Sequence, residues 1–123
     1  MNTKRYAEDY ALAELMCIAA AKEIRDGEKV LLGWGLPLLA GTLAKLSYAP
    51  NIQLMIEVGV FDWKPPAEIK RAPIAFEGPI FVGAAMLGDM LDSLGVMLMS
   101  GDIDVAFLGA AQVDRYGNLN TIC

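Results

Sequence analysis

Three short stretches of this sequence hold residues that could do chemistry: one glutamate and two glycine-rich turns. Glu57 lies in Leu54-Met55-Ile56-Glu57-Val58-Gly59, a run that otherwise reads as a buried strand. An ionised carboxylate is costly to bury unless it is paired or hydrogen-bonded. Such burial also shifts its pKa and makes it a candidate for a reaction. Gly59, two residues on, permits the close approach of a ligand or of another backbone. The structural alternative for Glu57 is a buried ion pair, with Lys29 or Lys45 as conceivable partners. Gly33-Trp34-Gly35-Leu36-Pro37 stands between an apolar run and a helical pattern. Backbone N–H groups there could bind an anion or a nucleotide. The third glycine of a dinucleotide fingerprint is missing and no acidic residue follows at the required place, so the same residues also read as a plain strand-to-helix turn. Gly109-Ala110-Ala111-Gln112 follows another apolar run. Its small residues would let a substrate lie against the backbone, and Gln112 could donate a hydrogen bond. The alternative is close packing on a neighbouring strand.

The elements that would position these residues follow from the pattern around them. Residues 8–26 are rich in Ala, Leu, Met, Glu and Lys and predict a helix, with Asp26-Gly27 ending it and Gly27 just past its C-terminus. Residues 29–33 predict a strand and residues 38–46 a second helix, with Pro37 tolerated in the first turn. After the Ala49-Pro50-Asn51 break, residues 52–58 predict a second strand. Strand, glycine turn, helix, strand is the signature of a parallel sheet whose strands are apolar on both faces. The expected fold class is therefore α/β, an open and mostly parallel sheet with helices packed on its faces. Residues 61–79 carry Pro65, Pro66, Pro73 and Pro79 and predict a long irregular loop. Residues 84–100 predict a helix and residues 104–108 a third strand. Glu57 and both glycine turns would then fall at the carboxyl ends of strands, where open α/β sheets bind ligands.

Composition narrows the function further. With 123 residues the chain is one domain's worth, 55% apolar and only 20% charged, which suggests surface covered by a partner. Its net charge of -5 argues against nucleic acid. The absence of histidine removes Ser-His and Cys-His pairs, imidazole acid–base catalysis and histidine metal sites from what this chain supplies, and no metal site is expected. Two cysteines, Cys17 and Cys123, make no disulfide framework, so a reducing cytoplasm is the default. No signal peptide is recognisable, and Asp89 and Asp92 interrupt the apolar stretch of residues 80–99, so no membrane span is expected. Met86, Met90, Met97 and Met99 read as core or partner contacts, and Trp34 and Trp63 as packing residues that could also stack on a ligand.

Taken in order, Gly33-Trp34-Gly35-Leu36-Pro37, Tyr48-Ala49-Pro50-Asn51, Ile56-Glu57-Val58-Gly59 and the stretch from Phe107 through Gly109-Ala110-Ala111-Gln112 to Asp114-Arg115-Tyr116-Gly117-Asn118 resemble the β subunit of family I CoA-transferases. The similarity is to the glutaconate and 3-oxoacid CoA-transferase type. It covers nearly the whole chain, which reads as one partial β-subunit domain over residues 1–123. The resemblance implies that Glu57 is the nucleophile. Its carboxylate would attack an acyl-CoA thioester and carry CoA as a glutamyl thioester in a ping-pong cycle. Gly33, Gly35, Gly59, Gly109, Ala110 and Gln112 would border the substrate. No cofactor is implied, since CoA is itself a substrate, and the partners would be an α subunit, acyl-CoA and a carboxylic acid, in a hetero-oligomer. The family places an oxyanion-stabilising amide near the start of the third strand, where this sequence has Asp104. It takes a second donor from a glycine-rich loop in a segment that follows the residues present here.

Two other readings stay open. Some relatives of such enzymes are hydrolases or decarboxylases of CoA esters that replace or relocate the glutamate, and the presence of Glu57 favours the transferase. The chain could also be a non-catalytic half-subunit whose apolar surface only binds a partner.

Overall fold

Val30, Leu31 and Leu32 are apolar in succession, and a strand of that kind is stable only when both its faces are covered. Lys29–Leu32 (β1) accordingly forms the inside of a five-stranded sheet in the computed structural model, which describes residues 9–65 and 81–122. β1 pairs in parallel with β2 (Gln53–Ile56) on one side and with β5 (Val105–Phe107) on the other. Beyond β2 the sheet continues antiparallel through β3 (Val60–Phe61) and β4 (Met86–Leu87), giving the order β4-β3-β2-β1-β5. β6 (Gln112–Val113) and β7 (Leu119–Asn120) form a separate antiparallel ribbon. The expected α/β class, a mostly parallel sheet with helices on its faces, is what forms.

Side chains alternate across a sheet, and the alternation sorts the core into two layers. Val30, Leu32, Leu54, Ile56 and Val60 lie in one cluster with Ala21, Ile24, Leu38, Ala44 and Trp63. That face is covered by α1 (Leu12–Lys22) and α2 (Leu36–Ser47), which pack on each other. Leu31, Met55 and Phe61 lie in the second cluster, against Leu94, Met97 and Ile103. Leu94 and Met97 belong to a wide helix of the π type, Leu91–Leu98. Helix α2 sits flush on β1 because residue 41 is glycine: a Cβ there would come within 2.4 Å of Leu32 Cδ1.

The boundaries differ from the sequence expectation in four places. α1 stops at Lys22, and Gly27, with φ of +88°, belongs to the turn that leads into β1, five residues past the helix. The second strand ends at Ile56 and the chain reverses at once into β3, so Glu57 and Val58 are turn residues and not strand residues. The predicted helix over residues 84–100 loses its first third: Met86–Leu87 is an edge strand, and Gly88-Asp89 breaks the chain before Leu91. The Asp89 carboxylate accepts from the N–H groups of Leu91 (2.7 Å) and Asp92 (3.0 Å), and its own N–H donates to Asp92 Oδ2 at 3.0 Å. This is a side-chain cap, which stops the helix from extending backwards. Of the predicted loop over residues 61–79, Phe61 is in β3 and Trp63 is buried, while residues 66–80 lie outside the described residues.

The two lysines named as conceivable partners of Glu57 are engaged elsewhere. Lys29 Nζ lies 3.6 Å from Asp102. Lys45 Nζ donates to Asp62 Oδ1 (2.5 Å) and to the Ile52 carbonyl (2.6 Å), tying α2 to the start and the far end of the β2–β3 hairpin. Asp62 holds a φ of +46°, a region that asparagine also tolerates. The Lys45 side chain is only 14% exposed, so loss of its counter-charge costs more than at an open surface. Asp62→Asn, which keeps the backbone preference, is expected to lower the unfolding free energy by about 1 kcal/mol. Asp62→Leu, which loses both charge and backbone tolerance, is expected to cost roughly 3 kcal/mol. Urea denaturation measures both, and an Asn variant as stable as the parent would show that the ion pair contributes nothing.

Candidate active site

The register brings the candidate residues to one edge. Leu32 is level with Ile56 on β2 and with Phe107 on β5, so Gly33, Glu57 and Leu108 leave the sheet side by side at its carboxyl end. The strand order also reverses here, because the chain steps from β1 to β2 on one side and later places β5 on the other. Such a switch point opens a crevice at the strand ends. Gly33 N–H continues the β1–β5 pairing by donating to the Phe107 carbonyl at 2.8 Å. Gly35, at φ +82°, turns the chain into α2, whose N-terminus therefore rises from the same edge. The amino end of a helix favours negative charge.

Glu57 opens a three-residue hairpin loop. Ile56 pairs with Val60, Gly59 N–H donates to the Ile56 carbonyl at 3.0 Å, and Gly59 takes a left-handed φ of +86°. This is a tight turn closed by a left-handed residue, one of the common ways to join two antiparallel strands. Glu57 is half-buried, and among the described residues no cation or hydrogen-bond donor meets its carboxylate. The ion-pair reading of Glu57 thus lacks the partners it named. The freedom of Gly59 is used by the chain's own backbone: Gly88 N–H donates to the Gly59 carbonyl at 2.7 Å, and a Cβ at 59 would stand 2.4 Å from both Gly88 C and Asp89 N. The Glu57 carbonyl in turn accepts the hydroxyl of Ser93, a residue with 0% exposure that sequence reasoning missed. A polar residue on the apolar register of a helix was its only signal.

The second glycine stretch behaves differently. Gly109, Ala110 and Ala111 run exposed into the β6–β7 ribbon, and a Cβ at Gly109 would meet nothing within 4 Å. The close packing considered for this stretch is not seen among the described residues. Gln112 is exposed, and its Oε1 accepts from Asn120 Nδ2 at 3.0 Å. Trp34 packs against the first core cluster, and Trp63 lies within it. Asp104 places its carboxylate 2.8 Å from the Lys29 N–H and so extends the β1–β5 pairing at the amino end of the strands. A cavity of about 270 Å³ lies near that end too, on the π-helix face, lined by Lys29, Gln53, Met55, Phe61, Met86 and Met97 among others. None of the candidate site residues borders it. Among the described residues, no group of three His, Cys, Asp or Glu side chains is placed to hold a metal, and no helix is long and apolar enough to cross a membrane.

Fold and edge together define an open α/β protein with a carboxylate that has no partner among the described residues, on a tight turn at the carboxyl ends of parallel strands. The family model described as Coenzyme A transferase matches residues 13–123, and the chain belongs to that family. Among curated proteins it is similar to the B subunit of 3-oxoadipate CoA-transferase from Pseudomonas knackmussii, with 36% identity over 119 residues, 91% of this chain and 42% of that one. It is also similar to the B subunit of glutaconate CoA-transferase from Acidaminococcus fermentans, with 32% identity over 118 residues, 92% of this chain and 43% of that one. The crystal structure of that glutaconate CoA-transferase superposes with a TM-score of 0.70 at 28% identity, over 90% of this chain and 43% of the other. The crystal structure of the decarboxylase AibA/AibB superposes with a TM-score of 0.75, also at 28% identity, over 91% and 46%. The chain thus spans less than half the length of the curated relatives it matches.

Two expectations follow from the geometry. Gly59→Ala combines a left-handed Cβ with a backbone clash, and is expected to cost about 3 kcal/mol or more in denaturant unfolding; a loss under 1 kcal/mol would mean that the Gly59–Gly88 approach is not needed. The second concerns Asp114, which closes the ribbon turn by accepting from the Asn118 side chain (2.8 Å) and from the N–H groups of Tyr116 (2.8 Å) and Asn118 (2.9 Å). The Asn118 side chain first, then these N–H groups, hold its pKa below the ordinary carboxylate value. A lowered folded pKa stabilises the turn above the unfolded value of about 3.9 and loses that contribution as pH falls through the folded one. Amide exchange at Tyr116 and Asn118 should therefore accelerate in acid, relative to intrinsic rates, in the parent but not in Asp114→Asn. Equal acid responses would count against the carboxylate as the lock.

Proposed function

We propose that this chain supplies the nucleophile of a CoA-transferase, and that the nucleophile is Glu57. The observation that carries the reading is a half-buried carboxylate without a partner among the described residues, on a turn pinned from behind, at the switch-point edge of a chain that belongs to the Coenzyme A transferase family. A carboxylate with no counter-charge and few waters is a better nucleophile than a solvated one.

The cycle runs in four balanced displacements. A Glu57 carboxylate oxygen bonds to the thioester carbonyl carbon, the C–S bond breaks and CoA leaves as thiolate, giving a mixed anhydride. The thiolate attacks the glutamyl carbonyl, releases the donor acid as carboxylate and leaves CoA on Glu57 as a thioester. The acceptor carboxylate then attacks that thioester and expels the thiolate, which attacks the acceptor's acyl carbonyl to give the new acyl-CoA and free Glu57. No net proton is taken up, so a chain without histidine can run it. Gly33, Gly35 and the start of α2 are suited to an anionic group of the substrate, and Gly109, Ala110 and Gln112 offer an open backbone for its acyl part. Gly59 shapes the turn. The remaining wall and an α subunit complete the site, by analogy with relatives that are B subunits of CoA-transferases; cytoplasmic assembly suits a CoA thioester substrate.

A second reading is favoured by one finding, the superposition on the decarboxylase AibA/AibB. The two separate on the fate of Glu57. The intact protein that carries this chain, assembled with its companion subunit, would be incubated with acetyl-, succinyl-, glutaryl- and glutaconyl-CoA, treated with borohydride and mapped by peptide mass. Reduction or CoA retention at Glu57 is expected with at least one donor. Glu57→Gln should lower transfer to carboxylate acceptors by about three orders of magnitude or more and abolish the adduct. Carbon dioxide release without any Glu57 adduct would move the assignment to a decarboxylase.

A further inference from the structure

We propose that Ser93 is a positioning residue for Glu57: its buried hydroxyl holds the Glu57 carbonyl and so fixes the peptide unit that aims the carboxylate. The proposal rests on the reading of Glu57 as nucleophile and deepens it.

Ser93 is the one buried residue of the Leu91–Leu98 helix, where Leu91, Val96 and Leu98 are all exposed. Burying a hydroxyl without a partner is costly, and an apolar residue in its place would avoid that cost. A serine inside a helix ordinarily turns back on a carbonyl three or four residues earlier. That option is present here, with Met90 O at 3.3 Å, but the closer partner is the carbonyl of Glu57, 36 residues away in sequence. The contact is part of a clamp. Gly88 N–H holds the Gly59 carbonyl, and the Asp89–Asp92 cap fixes the segment from which Ser93 reaches. On the other side Gly59 N–H is anchored to Ile56. With the peptide units on both sides of Val58 held, the main-chain rotation of Glu57 toward the turn is removed and the carboxylate moves only on its own side-chain torsions.

Attack on a thioester needs an oxygen about 3–3.5 Å from the carbonyl carbon and aligned with it, and a misplacement near 1 Å can cost about 100-fold. The bond that forms is Glu57 O to carbonyl carbon and the bond that breaks is carbon to sulfur. The Ser93 proton stays on its oxygen throughout, so the residue acts through Glu57 and not on the substrate.

The test follows CoA transfer onto Glu57 in a single turnover of the intact assembled protein, using the donor that labels Glu57 fastest in the panel above, with intact mass as readout. Ser93→Ala should slow adduct formation about 10-fold or more while the half-saturating donor concentration stays within about twofold, and Ser93→Thr should recover most of the rate. A purely structural role would lower the melting temperature and the active fraction but leave the rate of the folded fraction unchanged. If the alanine variant does not fold, Ser93→Thr and Ser93→Cys decide: a rate that falls as the donor weakens from hydroxyl to thiol supports the proposal, and equal rates overturn it. An alanine variant that labels at the parental rate removes Ser93 from the mechanism and leaves Glu57 in place. A parental protein that no donor labels at Glu57 removes both.

Discussion

Each backbone N–H and C=O that β1 takes out of water needs a partner, and β1 finds them in β2 on one side and β5 on the other. That double parallel pairing is what the rest of the molecule depends on. It commits Val30 and Leu32 to one face and Leu31 to the opposite one, so two separate covers are required, α1 with α2 and the π helix. It also levels the strand ends. Because Leu32, Ile56 and Phe107 stand in register, the three connections that leave them begin at the same height. A site at this edge is therefore assembled by the sheet and not by loop folding.

The turn after β2 then answers a conflict. A glutamate extending a buried strand would need a counter-charge, and the two lysines considered for it are committed, Lys29 to Asp102 and Lys45 to Asp62. Ending the strand at Ile56 brings the carboxylate to the half-buried margin, where some hydration remains. A three-residue loop is short enough to be stiff, and the Gly59–Gly88 approach and the Ser93 hydroxyl stiffen it further. The same short chain segment is thus held in its main chain while its one ionisable side chain has no partner among the described residues. Structural carboxylates show the reverse, a satisfied side chain on whatever backbone allows it, and Asp62 and Asp114 in this chain are of that type.

The parts legible in the sequence are those in which punctuation and pattern agree. β1, α2 and β2 are each bounded by Gly, Pro or Asn, and the apolar runs between them have the right length for their type. The hairpin after Ile56 was hidden because Glu57-Val58 continues the strand pattern, and Gly59 reads equally as a strand glycine or a left-handed turn residue. The edge strand Met86–Leu87 was hidden inside a long apolar, methionine-rich stretch that suits a helix. The Gly88-Asp89 pair inside it, a break followed by a capping side chain, was the available signal. Partners were the least legible. Nothing in spacing says that Lys45 reaches Asp62, or that Ser93 reaches a carbonyl 36 residues earlier, because both depend on how an antiparallel pair docks beside a parallel one.

The two halves of the candidate site differ in how far this chain completes them. Glu57 stands on main chain held from both sides and backed by the core. Gly109, Ala110 and Gln112 lead into a ribbon whose residues are all exposed, with Leu108, Val113, Tyr116, Leu119 and Ile122 open to solvent and its turn held mainly by its own Asp114 and Asn118. An exposed apolar set of this extent is unusual for a surface that stays bare. In relatives more than twice as long, additional chain is available to lie there. The division makes chemical sense beside relatives named for different acids, 3-oxoadipate and glutaconate. On the reading proposed for Glu57, a nucleophile must be held in one place whatever the acyl group, and the register of the sheet gives it that support. A wall that measures the acyl group would, on the same reading, be carried on a ribbon that the sheet does not constrain.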